Sequence, residues 1–279
     1  MQTKIGADFC CTVQAGRRAV CLKAHKRLTG CAVQQKYRQD CLYLSSVVID
    51  LFACIFILYQ YTLDKTSFRE EFILKNFKWM ALAMIMLASL SVHQKIIVID
   101  AGHGGWDPGK VSSENHEEKH INLAITEALQ MHLEQAGAVV FLTRAEDAAL
   151  GDTKRTDLRA RTNMPSDMHA DLFISIHQNA FPKSTVRGAQ AFFYEGSAEG
   201  EKLAKAIQAH IKGYLDTENR MEAKGSTSYF ILKETTAPAV LVECGFLTNH
   251  DEAARLADEI YQQKVAWAIY LGILDYFSN

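Results

Sequence analysis

From Lys95 onward, short apolar runs alternate with longer stretches whose apolar residues recur every three to four positions. Uninterrupted runs of Ile, Val, Leu and Phe, bounded by Gly or polar residues, predict buried strands of a parallel sheet. Strands are expected at 95–100, 138–142, 171–176, 188–194, 228–232 and 239–243. Amphipathic helices are expected at 118–135, 153–164, 198–214 and 251–276; the last carries Leu256, Ile260, Val265, Ile269 and Ile273 near a 3.6-residue period. This alternation predicts an α/β fold: a single-domain, open, mostly parallel (mixed) sheet of about six strands with helices on both faces.

Three of the apolar runs end on residues suited to metal or acid–base chemistry. Ile96 to Asp100 leads into His103, Leu172 to Ile176 into His177, and Ala239 to Val242 into Glu243. Ligands of open α/β sheets bind beyond the carboxyl ends of the strands, so the repetition predicts one shared site. Two histidines and a carboxylate meeting there suggest metal-assisted hydrolysis. The segment Asp100 to Gly109 is a glycine-dense turn, which permits close backbone approach to a ligand. A glutamate that closes a buried strand is costly without a partner, which favours a chemical role for Glu243 over a surface ion pair.

A second motif overlaps the first. His116-Glu117-Glu118-Lys119-His120 matches H-E-x-x-H, in which histidines four apart on a helix bind zinc and the glutamate is the base. The polar run Ser112 to Asn115 precedes it, and the apolar helix pattern starts only at Ile121, so His116 and His120 are expected to be solvated. His132, His210 and His250 are expected at the surface. Cys244 is expected to be core, and Arg161 to shape a loop or lie exposed on its helix.

Charge and cysteine divide the chain in two. Met1 to Ser91 holds 12 Lys plus Arg against 6 Asp plus Glu, a balance of +6, whereas Val92 to Asn279 holds 18 against 26, or −8. The acidic part has no basic stripe interleaved with aromatics, which argues against nucleic acid as a partner. Six of the seven cysteines precede residue 92, so the rest of the chain cannot close an internal disulfide. Residues 1–73 show neither helical nor strand period and read as a leader of doubtful status, consistent with spurious upstream translation. Residues 74–91, with Lys75 and Lys78 ahead of a short apolar run and Ser89 and Ser91 after it, read as a signal peptide or N-terminal membrane anchor. The earlier apolar stretch from Leu44 to Leu63 carries Asp50 near its middle, at an insertion cost of roughly 2.5–3.5 kcal/mol. The expectation is an exported protein, acting outside the cytoplasm in the wall or tethered to the membrane facing outward.

With Asp100-Ala101-Gly102-His103-Gly104-Gly105-Trp106-Asp107-Pro108-Gly109, Glu118 ahead of Asn122, Ser175-Ile176-His177-Gln178-Asn179 and Val242-Glu243-Cys244-Gly245-Phe246 in this order, the chain from about Lys95 to Phe277 resembles the zinc-dependent N-acetylmuramoyl-L-alanine amidases of bacterial cell-wall metabolism. The resemblance implies one Zn2+ held by His103, Glu118 and His177, with Glu243 as the catalytic glutamate and 92–279 as the catalytic domain. It also implies peptidoglycan as substrate, cleaved between N-acetylmuramic acid and L-alanine. Asn179 is a candidate substrate contact. The short catalytic part without a wall-binding module resembles the spore-germination amidases that help make muramic lactam in cortex peptidoglycan, and an activator protein is open. Lys110 and Ser166 depart from the family pattern, which bears on substrate preference. A zinc peptidase acting on free peptides and a catalytically silent wall-binding protein stand as alternatives.

Overall fold

A computed structural model describes residues 91–278. The expected leader, and all of the expected signal or anchor except Ser91, lie outside the described residues. Six strands, β1 (Ile96–Ala101), β2 (Val139–Leu142), β3 (Leu172–Asn179), β4 (Gln190–Tyr194), β5 (Lys224–Ser226) and β6 (Ala239–Phe246), form one sheet in the order β2-β1-β3-β6-β4-β5. Every neighbouring pair is parallel except β4 with β6. The helices are α1 (Glu118–Gln135), α2 (Lys154–Asp167), α3 (Ala198–His210), α4 (Phe230–Glu234), α5 (His250–Leu256) and α6 (Glu259–Ser278), with one turn of π-helix after α3 at Ile211–Leu215. Among the described residues no helix is long and apolar enough to cross a membrane.

Strand alternation divides the side chains between two layers. Ile97, Ile99, Leu172, Ile174, Ile176, Val240 and Val242 join the large core that also holds the apolar residues of α1, α3 and α6. Val98, Phe173, Ala239 and Leu241 point the other way, into a smaller cluster closed by Ile231 and Leu232 of α4 and by Met164 of α2. Helices therefore cover both faces, as expected. The same period of two sends Asp100, Ser175, His177 and Glu243 to the α2/α4 side as the strands run out.

Two expected elements differ. Residues 228–232 are not a strand: pairing stops at Ser226, and α4 begins at Phe230. Ile231 and Leu232, adjacent in sequence, are 4% and 2% exposed in one cluster, which a helical turn allows and an alternating strand does not. The helix expected at 251–276 is two helices. Asp258 interrupts it, its carboxylate accepting from the Tyr261 amide at 2.9 Å and its carbonyl from the Gln262 amide at 3.0 Å, so that it caps the start of α6.

Candidate active site

The chain leaves β1 for α1 and β2 on one side, then returns to place β3 on the other side of β1. This reversal opens a crevice beyond the carboxyl ends of β1 and β3, where α/β sheets bind ligands. His103 follows β1, His177 lies near the end of β3, and Glu118 opens α1. Among the described residues these three form the group of metal-capable side chains, with ligand atoms all within 4.8 Å of one another. The Glu118 carboxylate oxygen Oε1 lies 3.0 Å from His177 Nδ1 and 3.3 Å from His103 Nε2. The two imidazoles meet edge to face, with centroids 4.9 Å apart.

Each donor is fixed from behind. Asp107 holds His103 Nδ1 at 2.8 Å, turning Nε2 toward Glu118, and its second oxygen accepts from the Gly109 amide at 3.1 Å. Such carboxylate–histidine pairs orient metal-binding imidazoles. Glu118 accepts from the backbone amides of Lys110 at 2.8 Å and Gln178 at 2.9 Å, and from the Asn122 amide group at 3.4 Å. Lys110 thus serves through its backbone, which explains how a long side chain is accommodated at that position. His103 itself takes φ +62°, a left-handed conformation uncommon for residues that carry a side chain.

Two buried arginines brace the loop that carries His103. Arg161 donates to the Asp100 carboxylate at 2.8 Å, to the carbonyls of Ala101 and His103 at 2.7 and 2.8 Å, and to Asp157 at 2.7 Å. Arg144 donates to the carbonyls of Ala101, Gly102 and Lys119. Asp100, fully buried, also accepts from Thr143 and Ser175 at 2.8 and 2.7 Å. Burial opposes its charge, yet Arg161 and His177 hold its carboxyl below the usual carboxylate range. Arg161 is therefore the loop-shaping residue of the two roles open to it.

The cradle also requires close backbone approach. A Cβ on Gly102 would lie 2.4 Å from two atoms of the His177 ring, and one on Gly109, where φ is +67°, would lie 2.6 Å from Glu118 Oε2. The electrostatics favour a cation. Burial disfavours a charged His103, but Glu118 and Asp107 outweigh it and push its pKa up to about 9. Glu118 is likewise buried, yet its contacts with His103 and His177 hold it far below the normal range. A small divalent ion fits this group: two imidazoles, an ionised carboxylate and a field that already stabilises positive charge.

Glu243 lies opposite His177 in the β3–β6 register and outside the metal-capable group. It is 7% exposed. Burial raises its carboxyl, and although His177 pulls the other way it stands at about 7. The Tyr229 hydroxyl reaches its Oε1 at 3.4 Å, and its Oε2 is buried without a hydrogen-bond partner. Cys244, next in sequence, faces the opposite layer; burial pushes its thiol up, which suits a core residue.

The H-E-x-x-H geometry does not form. Glu117 is the residue ahead of α1, so His116 precedes the helix and cannot share a helical face with His120. His120 is exposed and pairs with Glu117 at 3.2 Å. Asn179 Oδ1 accepts from the amide of Ala180, shaping its own loop. Of the histidines expected at the surface, His250 is exposed beside Glu114, whereas His132 is half-buried against Trp267 and Tyr270. Asp107, Asn122, Arg144 and Tyr229 were given no role from sequence. Only Asp107, four residues after His103 in the glycine-rich turn, had a local signal.

A switch-point crevice holding a His–Glu–His group beside a buried glutamate defines an α/β protein with a metal-capable site suited to hydrolysis. Residues 97–275 match the N-acetylmuramoyl-L-alanine amidase family, and the chain belongs to it. The germination-specific N-acetylmuramoyl-L-alanine amidase of Bacillus subtilis is 39% identical over 199 residues, covering 68% of this chain and 83% of that protein. LytC of the same organism, also an N-acetylmuramoyl-L-alanine amidase, is 33% identical over 184 residues, 65% of this chain and 35% of LytC. The solved structure of the CwlD amidase from Clostridioides difficile, in complex with the GerS lipoprotein, is 42% identical with a TM-score of 0.65, covering 66% of this chain and 99% of that one. The protein is a cell-wall amidase that cleaves the bond between N-acetylmuramic acid and L-alanine.

Proposed function

We propose that the amidase is zinc-dependent, with His103, Glu118 and His177 holding one Zn2+ and Glu243 carrying the proton. The observation that carries the reading is the convergence of the three donors within 4.8 Å, with Glu243 buried next to His177 but outside that group. Zinc in such a site supplies Lewis-acid polarisation of the scissile carbonyl and lowers the pKa of water. The chain's own part is to orient and to move protons. Asp107 and the amides of Lys110 and Gln178 hold His103 and Glu118 in place. Glu243 takes a proton from the attacking water as the carbonyl carbon gains its new C–O bond. It returns that proton to the amide nitrogen as the C–N bond breaks, leaving a lactyl carboxyl and the free amine of L-alanine. Asn179, with its side-chain oxygen engaged by Ala180, would offer its Nδ2 group to a substrate carbonyl.

The substrate setting is spore cortex peptidoglycan, and the enzyme acts outside the cytoplasm behind an N-terminal signal or anchor at 74–91. The germination-specific relative supports the first statement. The relative solved with a lipoprotein supports an accessory protein partner here as well. Elemental analysis together with mass spectrometry of digested peptidoglycan tests the chemistry. The expected result is one zinc per chain, lactyl carboxyl groups on the glycan and stem peptides starting at L-alanine. Cleavage of sugar-free stem peptide would point to a peptidase instead. Spores lacking the protein should show cortex without muramic lactam; unchanged cortex would remove the germination role while leaving the amidase chemistry in place.

A further inference from the structure

The Glu243 carboxylate presents two unlike oxygens. Oε1 accepts from the Tyr229 hydroxyl at 3.4 Å, the one hydrogen-bond donor this carboxylate has among the described residues. Oε2 is buried and has none. A buried carboxylate oxygen without a donor is costly unless a ligand completes it, and Oε2 is the oxygen that the protein leaves without a partner of its own.

Tyr229 is held for this task by packing that does not involve its hydroxyl. It precedes α4 in an extended conformation, and its carbonyl accepts from the Lys233 amide at 3.1 Å. Its ring lies 5.1 Å from that of Phe192 on β4. β4 runs antiparallel to β6, with Gln190 opposite Glu243 and Phe192 opposite Leu241. Phe192 therefore stands two residues along the same face as the position across from Glu243, and it props the tyrosine against the end of β6. The ring fixes the place and the hydroxyl fixes the carboxylate.

We infer that Tyr229 is a positioning residue for the amidase reaction: its O–H anchors Glu243 Oε1 and leaves Oε2 as the oxygen that accepts the proton of the attacking water. Without the hydroxyl, the carboxylate is free to rotate about its last bond, and the proton-accepting oxygen is no longer fixed. In this role Tyr229 acts through Glu243, the group its hydroxyl reaches. The inference rests on Glu243 acting as the proton carrier.

A double-variant cycle on the full, metal-loaded chain tests it with peptidoglycan fragments as substrate. Tyr229→Phe keeps the ring on Phe192 and removes only the hydroxyl. It should lower kcat by about 10- to 100-fold, the range for loss of a hydrogen-bonded support, with KM and metal content unchanged. Placed on Glu243→Gln, it should cause no further loss, because the group it positions is already gone. The inference is overturned if Tyr229→Phe turns over like the parent, if its loss multiplies with that of Glu243→Gln, or if KM or metal content changes along with kcat, which would mark a packing role. Should Glu243→Gln alone stay active, the proton-carrier reading falls first, and the single variant shows it.

Discussion

Glu118 and Glu243 are both buried carboxylates at the edge of one sheet, and their surroundings drive them in opposite directions. Glu118 accepts two backbone amides and a side-chain amide and faces two imidazoles, so it stays ionised far below the usual range. Glu243 has one long hydrogen bond, and burial lifts it to about 7. Ionisable pairs whose environments separate their pKa values divide the labour of a site. The first arm, on β1, α1 and β3, is braced by Asp107, Arg144, Arg161 and Asn122 and is built to hold charge permanently. The second, on β6 and α4, is built to gain and lose a proton.

The largest break in this contrast comes from the charge-holding arm. Glu118→Ala removes the carboxylate that both imidazoles face, and it should abolish metal binding and turnover together. Glu117→Ala, one residue earlier and outside the helix, should leave both near the parent. Metal content of the two purified variants decides, and a loaded Glu118→Ala protein would refute the ligand set.

The bracing behind that arm is next. Arg161→Met leaves Asp100 buried without its ionic partner, a loss that typically costs about 3–5 kcal/mol. Urea unfolding should show a drop of that order, with turnover falling because the His103 carbonyl loses its donor. A drop below about 1 kcal/mol would mean that the arginine network does not set the loop.

A subtler effect follows from protonation. His103 is raised from 6.5 to about 9 in the folded, metal-free protein, so the folded state binds more protons than the unfolded chain across that window. The stabilisation this gives is fully present below pH 6.5 and is lost as pH rises through about 9. Metal-free protein should therefore show a falling Tm between pH 6.5 and 9. Bound metal requires neutral imidazole and displaces the proton, so loaded protein should lack this decline and bind metal more tightly as pH rises. Thermal scans with and without chelator check the sign.

Three of the four chemical positions were legible in the chain itself, because strand ends announce themselves, whereas Glu118 at a helix start was reached only through the family resemblance. Uninterrupted apolar runs ending at His103, His177 and Glu243 located the crevice, and glycine density marked the turn that Gly102 and Gly109 need to clear His177 and Glu118. The supports were not legible. Arg144 and Tyr229 act across 43 and 14 residues of sequence, and nothing local separates them from ordinary loop or strand residues; Asn122, one helical turn after Glu118, also donates to the Gly102 carbonyl at 3.0 Å, a contact 20 residues away that no local pattern announces. The reading of 228–232 as a strand failed for a related reason. Tyr-Phe-Ile-Leu has strong strand composition, but burying Ile231 and Leu232 together required a turn of helix, and this same turn delivers Tyr229 to Glu243.

The division of labour between the two carboxylates is tested most directly by Glu243→Gln, with zinc stoichiometry and turnover measured on the same preparation. The amide keeps the size of the side chain and removes the base. The account predicts a fall in turnover of about 10²- to 10⁴-fold, with one metal still bound and the fold intact. Loss of the metal would make Glu243 a ligand, and retained turnover would put the proton on another group; either result contradicts the account.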